Sequence, residues 1–131
     1  MEIRIPAHKN FDFYACKKLY KIYQKLVGDD VSFNQIIKNT FFYSFYNSKN
    51  LIGCIYIYEK QKKLFMNGFA KRGFHEFNLK AVKKIFEWFN TDIYAESKQK
   101  PAIYLLLKCG FQKISDNLFV YHNNGLCRKG I

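Results

Sequence analysis

The sequence predicts a single α/β domain: a mixed, mostly antiparallel sheet with helices on both faces. Three observations carry that reading. Apolar residues first recur at three- and four-residue intervals, then give way to aromatic and β-branched runs separated by short polar turns, and then alternate between the two textures. The run Leu51–Tyr58 has apolar residues pointing both ways, so something must cover both sides of the sheet. The chain of 131 residues is 49% hydrophobic and 19% aromatic, which excludes disorder and supplies a core without staples. No repeat, low-complexity segment or linker divides it. One domain is therefore expected over 1–131, with its core ending near 122 and a short polar tail over 123–131.

The elements follow in order. A short strand is expected at Glu2–Ile5, ended by Pro6. Asn10 or Asp12 can cap a helix from about Phe11 to Val27, whose buried face would be Cys16, Leu19, Tyr20, Tyr23, Leu26 and Val27. Lys17, Lys18, Lys21 and Lys25 mark its wet side. Gly28-Asp29-Asp30 stops it, and Ser32 caps a short helix reaching Lys38. Strands Phe41–Tyr46, Leu51–Tyr58 and Leu64–Phe69 then form a meander through the polar turns Asn47–Asn50 and Lys60–Lys63. The basic turn Lys71-Arg72-Gly73-Phe74 leads into a helix over His75–Phe89 with Leu79, Val82, Ile85, Phe86 and Phe89 as its apolar stripe. Asp92–Glu96 reads as a strand. Pro101 suits the first turn of a last helix, ended by Gly110. Phe111–Ile114 and Leu118–Tyr121 make a closing hairpin.

The charge is strongly basic, with 22 Lys and Arg against 10 Asp and Glu, a net +12. Nineteen of the basic residues are Lys and three are Arg, whereas phosphate forks and base edges favour Arg. The lysines are spread over every element and no nucleic-acid motif accompanies them, so nucleic acid is retained only as a lesser partner. No apolar run is long enough to span a bilayer and the N-terminus lacks the apolar stretch of a signal peptide, so a cytoplasmic protein without a membrane partner is expected. Cys16, Cys54, Cys109 and Cys127 contain no C-x-x-C pair, and His8, His75 and His122 complete no zinc spacing, so no metal is expected. The first three cysteines read as small buried hydrophobes and Cys127 as exposed in the tail.

Ala102–Phe111, a short helix ending in Lys108-x-Gly110-Phe111, resembles the C-terminal signature of the GCN5-related N-acetyltransferases (GNAT). The order of elements resembles that family across almost the whole chain. The run Trp88–Ala95 followed by Lys-x-Gly-Phe is similar to small GNAT-like proteins of tailed bacteriophages, which would place the chain in a host cytoplasm or a virion. The resemblance implies acetyl-CoA as cosubstrate, a primary amine as acceptor, and a splayed strand whose gap takes the pantetheine arm. It implies that Phe69, Lys71, Arg72, Gly73, Phe74, His75 and Gln99 form the cofactor site, with the pyrophosphate on backbone N–H groups at a helix N-terminus. An N–H near Asn67–Phe69 would stabilise the oxyanion. Glu96 would be the general base, and Tyr94 a second candidate for proton transfer.

The sequence departs from that pattern at three places. His75 stands where the family's loop has a second small residue. Gln99 stands where Asn is common at the start of the signature helix. Leu106 stands where a Tyr often protonates the leaving thiolate, and Tyr104 lies roughly 200° around the helix from it. Two functions follow. One is an acetyl-CoA-dependent N-acetyltransferase. The other is a catalytically degenerate scaffold that binds a protein partner or assembles, as a virion component or a homodimer, with Tyr43, Tyr46, Tyr56 and Tyr58 as a contact surface.

Overall fold

The computed structural model describes residues 1–28 and 30–123; Cys127, expected to be exposed, lies outside them with the rest of 124–131. The elements are β1 (Glu2–Arg4), α1 (Phe13–Val27), α2 (Phe33–Asn39), β2 (Phe41–Asn47), β3 (Asn50–Lys60), β4 (Lys63–Ala70), α3 (His75–Phe86), β5 (Ile93–Glu96), α4 (Lys100–Cys109), β6 (Gln112–Ser115) and β7 (Leu118–Tyr121). They build one seven-stranded sheet in the order β1-β2-β3-β4-β5-β7-β6. Every neighbouring pair is antiparallel except β4 and β5. The expected α/β architecture and element order are those observed.

Both faces are covered, as the apolar β3 requires. Cys16, Leu19 and Tyr20 of α1 and Phe33 and Ile36 of α2 pack with Phe42, Tyr46, Tyr56 and Phe69 on one face. Ala81, Val82, Ile85 and Phe86 of α3 and Leu106 and Cys109 of α4 pack with Ile52, Ile57, Ile93 and Phe119 on the other. Tyr43, Tyr46 and Tyr56 are therefore buried and Tyr58 is half-buried, so the four do not form the exposed contact surface expected of them. A sheet covered on both sides has no free face there for a partner.

Several boundaries move for local reasons. α1 begins at Phe13 because Asp12 is its cap, accepting the Ala15 N–H at 3.0 Å. Leu26, expected on the buried stripe, falls on the outer side of α1 beside Ile22 and is exposed, and Val27 is 37% exposed. α3 ends at Phe86; Trp88 and Phe89 donate to Ile85 and Phe86 in tight three-residue steps. The Lys-x-Gly-Phe signature is a helix stop. The Gly110 N–H donates to Leu107 O at 3.1 Å, the Phe111 N–H to Leu106 O at 3.0 Å, and Phe111 buries against the core that Leu106 joins. That is the Schellman pattern, which needs the left-handed backbone found at Gly110 (φ 102°). It consumes Phe111, so β6 starts one residue later than expected. Asn123, expected in the tail, is buried: its amide donates to Phe86 O and Phe89 O, both at 2.9 Å, tying the end of α3.

Candidate functional site

The one parallel pairing is short. β4 meets β5 only at Leu64↔Ile93 and Phe65↔Tyr94, and beyond these the strands diverge. The hydrogen-bond alternation of β4 is fixed at both ends, by the hairpin pair Lys60↔Lys63 and by the Lys71 N–H donating to Ile52 O at 2.8 Å. Between these points Asn67 and Phe69 turn their backbone groups to β3. Met66, Gly68 and Ala70 turn theirs toward the gap. A cleft of about 220 Å³ fills that gap, walled by β4, by Ala95, Glu96 and Ser97, and by one side each of α3 and α4.

The Gly68 N–H faces this cleft and donates to the Asn67 side-chain oxygen at 2.7 Å, an oxygen that also accepts from the Tyr23 hydroxyl at 3.3 Å. A carbonyl entering the cleft can take the same donor once the Asn67 side chain turns away. Gly68 is fixed by space: a Cβ there would stand 2.7 Å from Cys54 O. Across the cleft, the Asn78 side chain lines the wall and its Oδ1 is buried with no hydrogen-bond partner. An unpartnered buried acceptor costs stability unless something donates to it. Asn78 carried no signal in the sequence, being one polar residue in the first turns of an amphipathic helix.

The turn into α3 follows β4, whose last residue Ala70 lines the cleft, and Gly73, Phe74, His75, Glu76 and Phe77 border a separate shallow hollow. Gly73 has φ 89°, in the left-handed region, and bends the chain into the helix. The N-cap residue Phe74 makes no side-chain cap hydrogen bond, and neither does Gln99 at the start of α4. Lys71, Arg72 and Gly73 are exposed beside the first of these helix ends. His75 does not fill the loop. Its ring packs 5.2 Å from Tyr104 of α4, and its Nε2 is buried without a partner.

The sequence-predicted residues thus divide. Phe69, Glu96 and Gln99 line the cleft. Lys71, Arg72, Gly73, Phe74 and His75 form the approach to α3. Tyr94 does not reach the cleft: its ring stacks on Phe65 at 5.7 Å, beneath the Lys63 ammonium at 4.9 Å. Glu96 is exposed and ion-paired to Lys60 at 2.7 Å. Leu106 lines the cleft and is buried, while Tyr104 is exposed and packs against the His75 ring outside it. No group of three His, Cys, Asp or Glu able to hold a metal is found among the described residues.

No protein-family model matches the chain, and no curated protein does. Solved structures do. A probable acetyltransferase from Staphylococcus epidermidis superposes with a TM-score of 0.70 at 14% identity, over 94% of this chain and 99% of that one. The fold is the GNAT fold. A GNAT family acetyltransferase from Elizabethkingia anophelis with acetyl-CoA bound superposes at 0.59 and 12% identity, over 92% of this chain and 97% of that one. A Bacillus subtilis acetyltransferase in complex with CoA gives 0.55 at 17% identity, over 85% and 76%. Within the GNAT fold, the parallel pair that opens here at β4 and β5 is the feature that sets this sheet apart from an ordinary meander.

Proposed function

We propose that the protein is an acetyl-CoA-dependent N-acetyltransferase acting on a primary amine. The observation that carries the reading is the cleft between β4 and β5, with the Gly68 N–H directed into it and an uncapped helix, α3, following β4 through the Lys71–Phe74 turn. The residues suit the group. A helix end without a side-chain cap offers N–H donors and positive potential to a pyrophosphate. Lys71 and Arg72 add charge there. The orphan Asn78 Oδ1 is an acceptor for an amide N–H of a pantetheine arm. Acetyl-CoA, when bound, supplies the activated acyl group; the chain supplies position, a dry cleft wall and the Gly68 N–H for the developing oxyanion.

Proton handling is the weaker half of the site. Glu96 can serve as a base only when its ion pair with Lys60 opens, a pair exposed enough for opening to cost about 1 kcal/mol or less. Leu106 has no proton to give, so the thiolate would leave with a proton from water. This one substitution favours the second reading, a scaffold that has kept the fold and the cosubstrate cleft but lost turnover.

Thermal denaturation and calorimetry with millimolar acetyl-CoA test the proposal. Binding to the folded state alone raises the melting temperature, by about 2.7 kcal/mol of stabilisation at a hundredfold excess over Kd. Absence of both heat and shift overturns the enzyme reading. A shift without acetylation of any amine in a panel supports the scaffold.

A further inference from the structure

The outer side of α1 has a chemistry that acetyl transfer does not use. At 100° per residue, Cys16, Leu19, Tyr20 and Tyr23 point to the sheet, while Lys17, Lys21 and Lys25 form a row on the opposite side. Beside it runs a second row, Tyr14, Lys18, Ile22 and Leu26. Its apolar members are largely in water: Tyr14 is 81% exposed, Ile22 57% and Leu26 69%. The helix contains no Asp or Glu, and no ion pair among the described residues involves its lysines. The rows lead somewhere. Tyr23 and Val27, each one residue beyond Ile22 and Leu26, line the β4–β5 cleft.

We propose that this face docks an acidic polypeptide, and that the polypeptide presents the acceptor amine to the cleft. The second half rests on the acetyltransferase reading; the docking does not. Charge and shape select the occupant. A second copy of this chain would set lysine against lysine on a protein of net +12. A small polyamine would be repelled by the same field. A phosphate backbone satisfies lysines but leaves Ile22 and Leu26 in water. A bilayer would meet an apolar row with cations on both flanks, and here they lie on one flank, the core occupying the other. An acidic amphipathic segment answers both rows, apolar side chains on Ile22 and Leu26, carboxylates on Lys17, Lys18, Lys21 and Lys25.

The test uses a fluorescent helical peptide with Leu at i and i+4, Glu on the flanking row and a single Lys. Its controls are the same peptide with Gln for Glu, an RNA hairpin and phosphatidylserine vesicles. The Glu peptide should bind with an affinity that falls as salt rises. The triple change Lys18→Gln, Lys21→Gln, Lys25→Gln and the double change Ile22→Ser, Leu26→Ser should each weaken binding about tenfold or more. Both variants alter exposed positions, so the melting temperature and the acetyl-CoA shift should stay as in the parent. Equal binding of the Gln peptide, no effect of either variant, or tighter binding of RNA or vesicles overturns the docking. With acetyl-CoA present, mass spectrometry should show the peptide lysine acetylated in preference to spermidine. Preference for spermidine, or an unmodified peptide from a protein that binds acetyl-CoA, overturns the acceptor assignment and leaves the docking to the binding data.

Discussion

The two helix pairs of this domain begin differently. On one face, α1 and α2 start with side-chain caps: Asp12 accepts the Ala15 N–H, and Ser32 and Gln35 exchange hydrogen bonds in a capping box. On the other face, α3 and α4 start at Phe74 and Gln99 with no side-chain cap. The sequence has the residues to cap a helix and uses them at α1 and α2. It omits them at α3, which follows β4, and at α4, whose N-cap residue Gln99 lines the cleft. The first pair closes over an aromatic core; α3 leaves its first N–H groups without a side-chain acceptor, with Glu76 the carboxylate in its first turn.

The largest expected effect breaks the closed half. Phe42 is buried and its ring meets Phe11, Phe33, Tyr56 and Phe69. Phe42→Ala should cost roughly 3–5 kcal/mol in urea denaturation, whereas Leu106→Ala, bordering the cleft, should fall near the lower end of the ~2–5 kcal/mol range for such a truncation.

A middle-sized effect comes from the caps themselves. Asp12→Ala and Ser32→Ala should each cost about 1 kcal/mol. Gln99→Asp should do the opposite, stabilising the exposed start of α4 by about 0.5–1 kcal/mol while weakening acetyl-CoA binding, because a carboxylate would then occupy the cleft wall. Calorimetry beside denaturation separates the two signs. A Gln99→Asp protein that is both more stable and equally good at binding would dissolve the contrast between the helix pairs.

The same contrast explains what was legible in the sequence. Asp12, Ser32, Gly110 and the apolar stripes announce themselves through local rules, so the elements and their order could be read directly. The Lys-x-Gly-Phe signature is recognisable because it is a physical device, a helix stop with a buried Phe. The splaying of β4 from β5 is a tertiary fact with no local signal. Asn78 was missed for that reason, and Tyr94 was expected near the chemistry although its alternation turns it onto Phe65. Leu26, expected on the stripe, lies on the outer row of α1 beside Ile22, and Val27 borders the cleft.

An effect confined to alkaline pH arises within α4. Burial pushes the Cys109 thiol up to about 11 from an ordinary 9.0. The folded state then holds this proton more tightly than the unfolded state. Its contribution to stability is complete below pH 9 and is lost as pH rises from 9 to about 11. Cys109→Ala should flatten that part of the stability curve, and Cys109 should resist alkylation at pH 8 until the protein unfolds.

The central claim is that the uncapped end of α3 and the β4 edge at Gly68 form one seat for the cosubstrate. Amide chemical shifts on titration with acetyl-CoA test it most directly. The account predicts saturable shifts of the backbone N–H groups of Gly68, His75, Glu76 and Phe77, with those of Ala15 and Gln35 at the capped helices unmoved. Shifts confined to exposed lysine-rich surfaces, or none at the Gly68 and His75 amides, would contradict it.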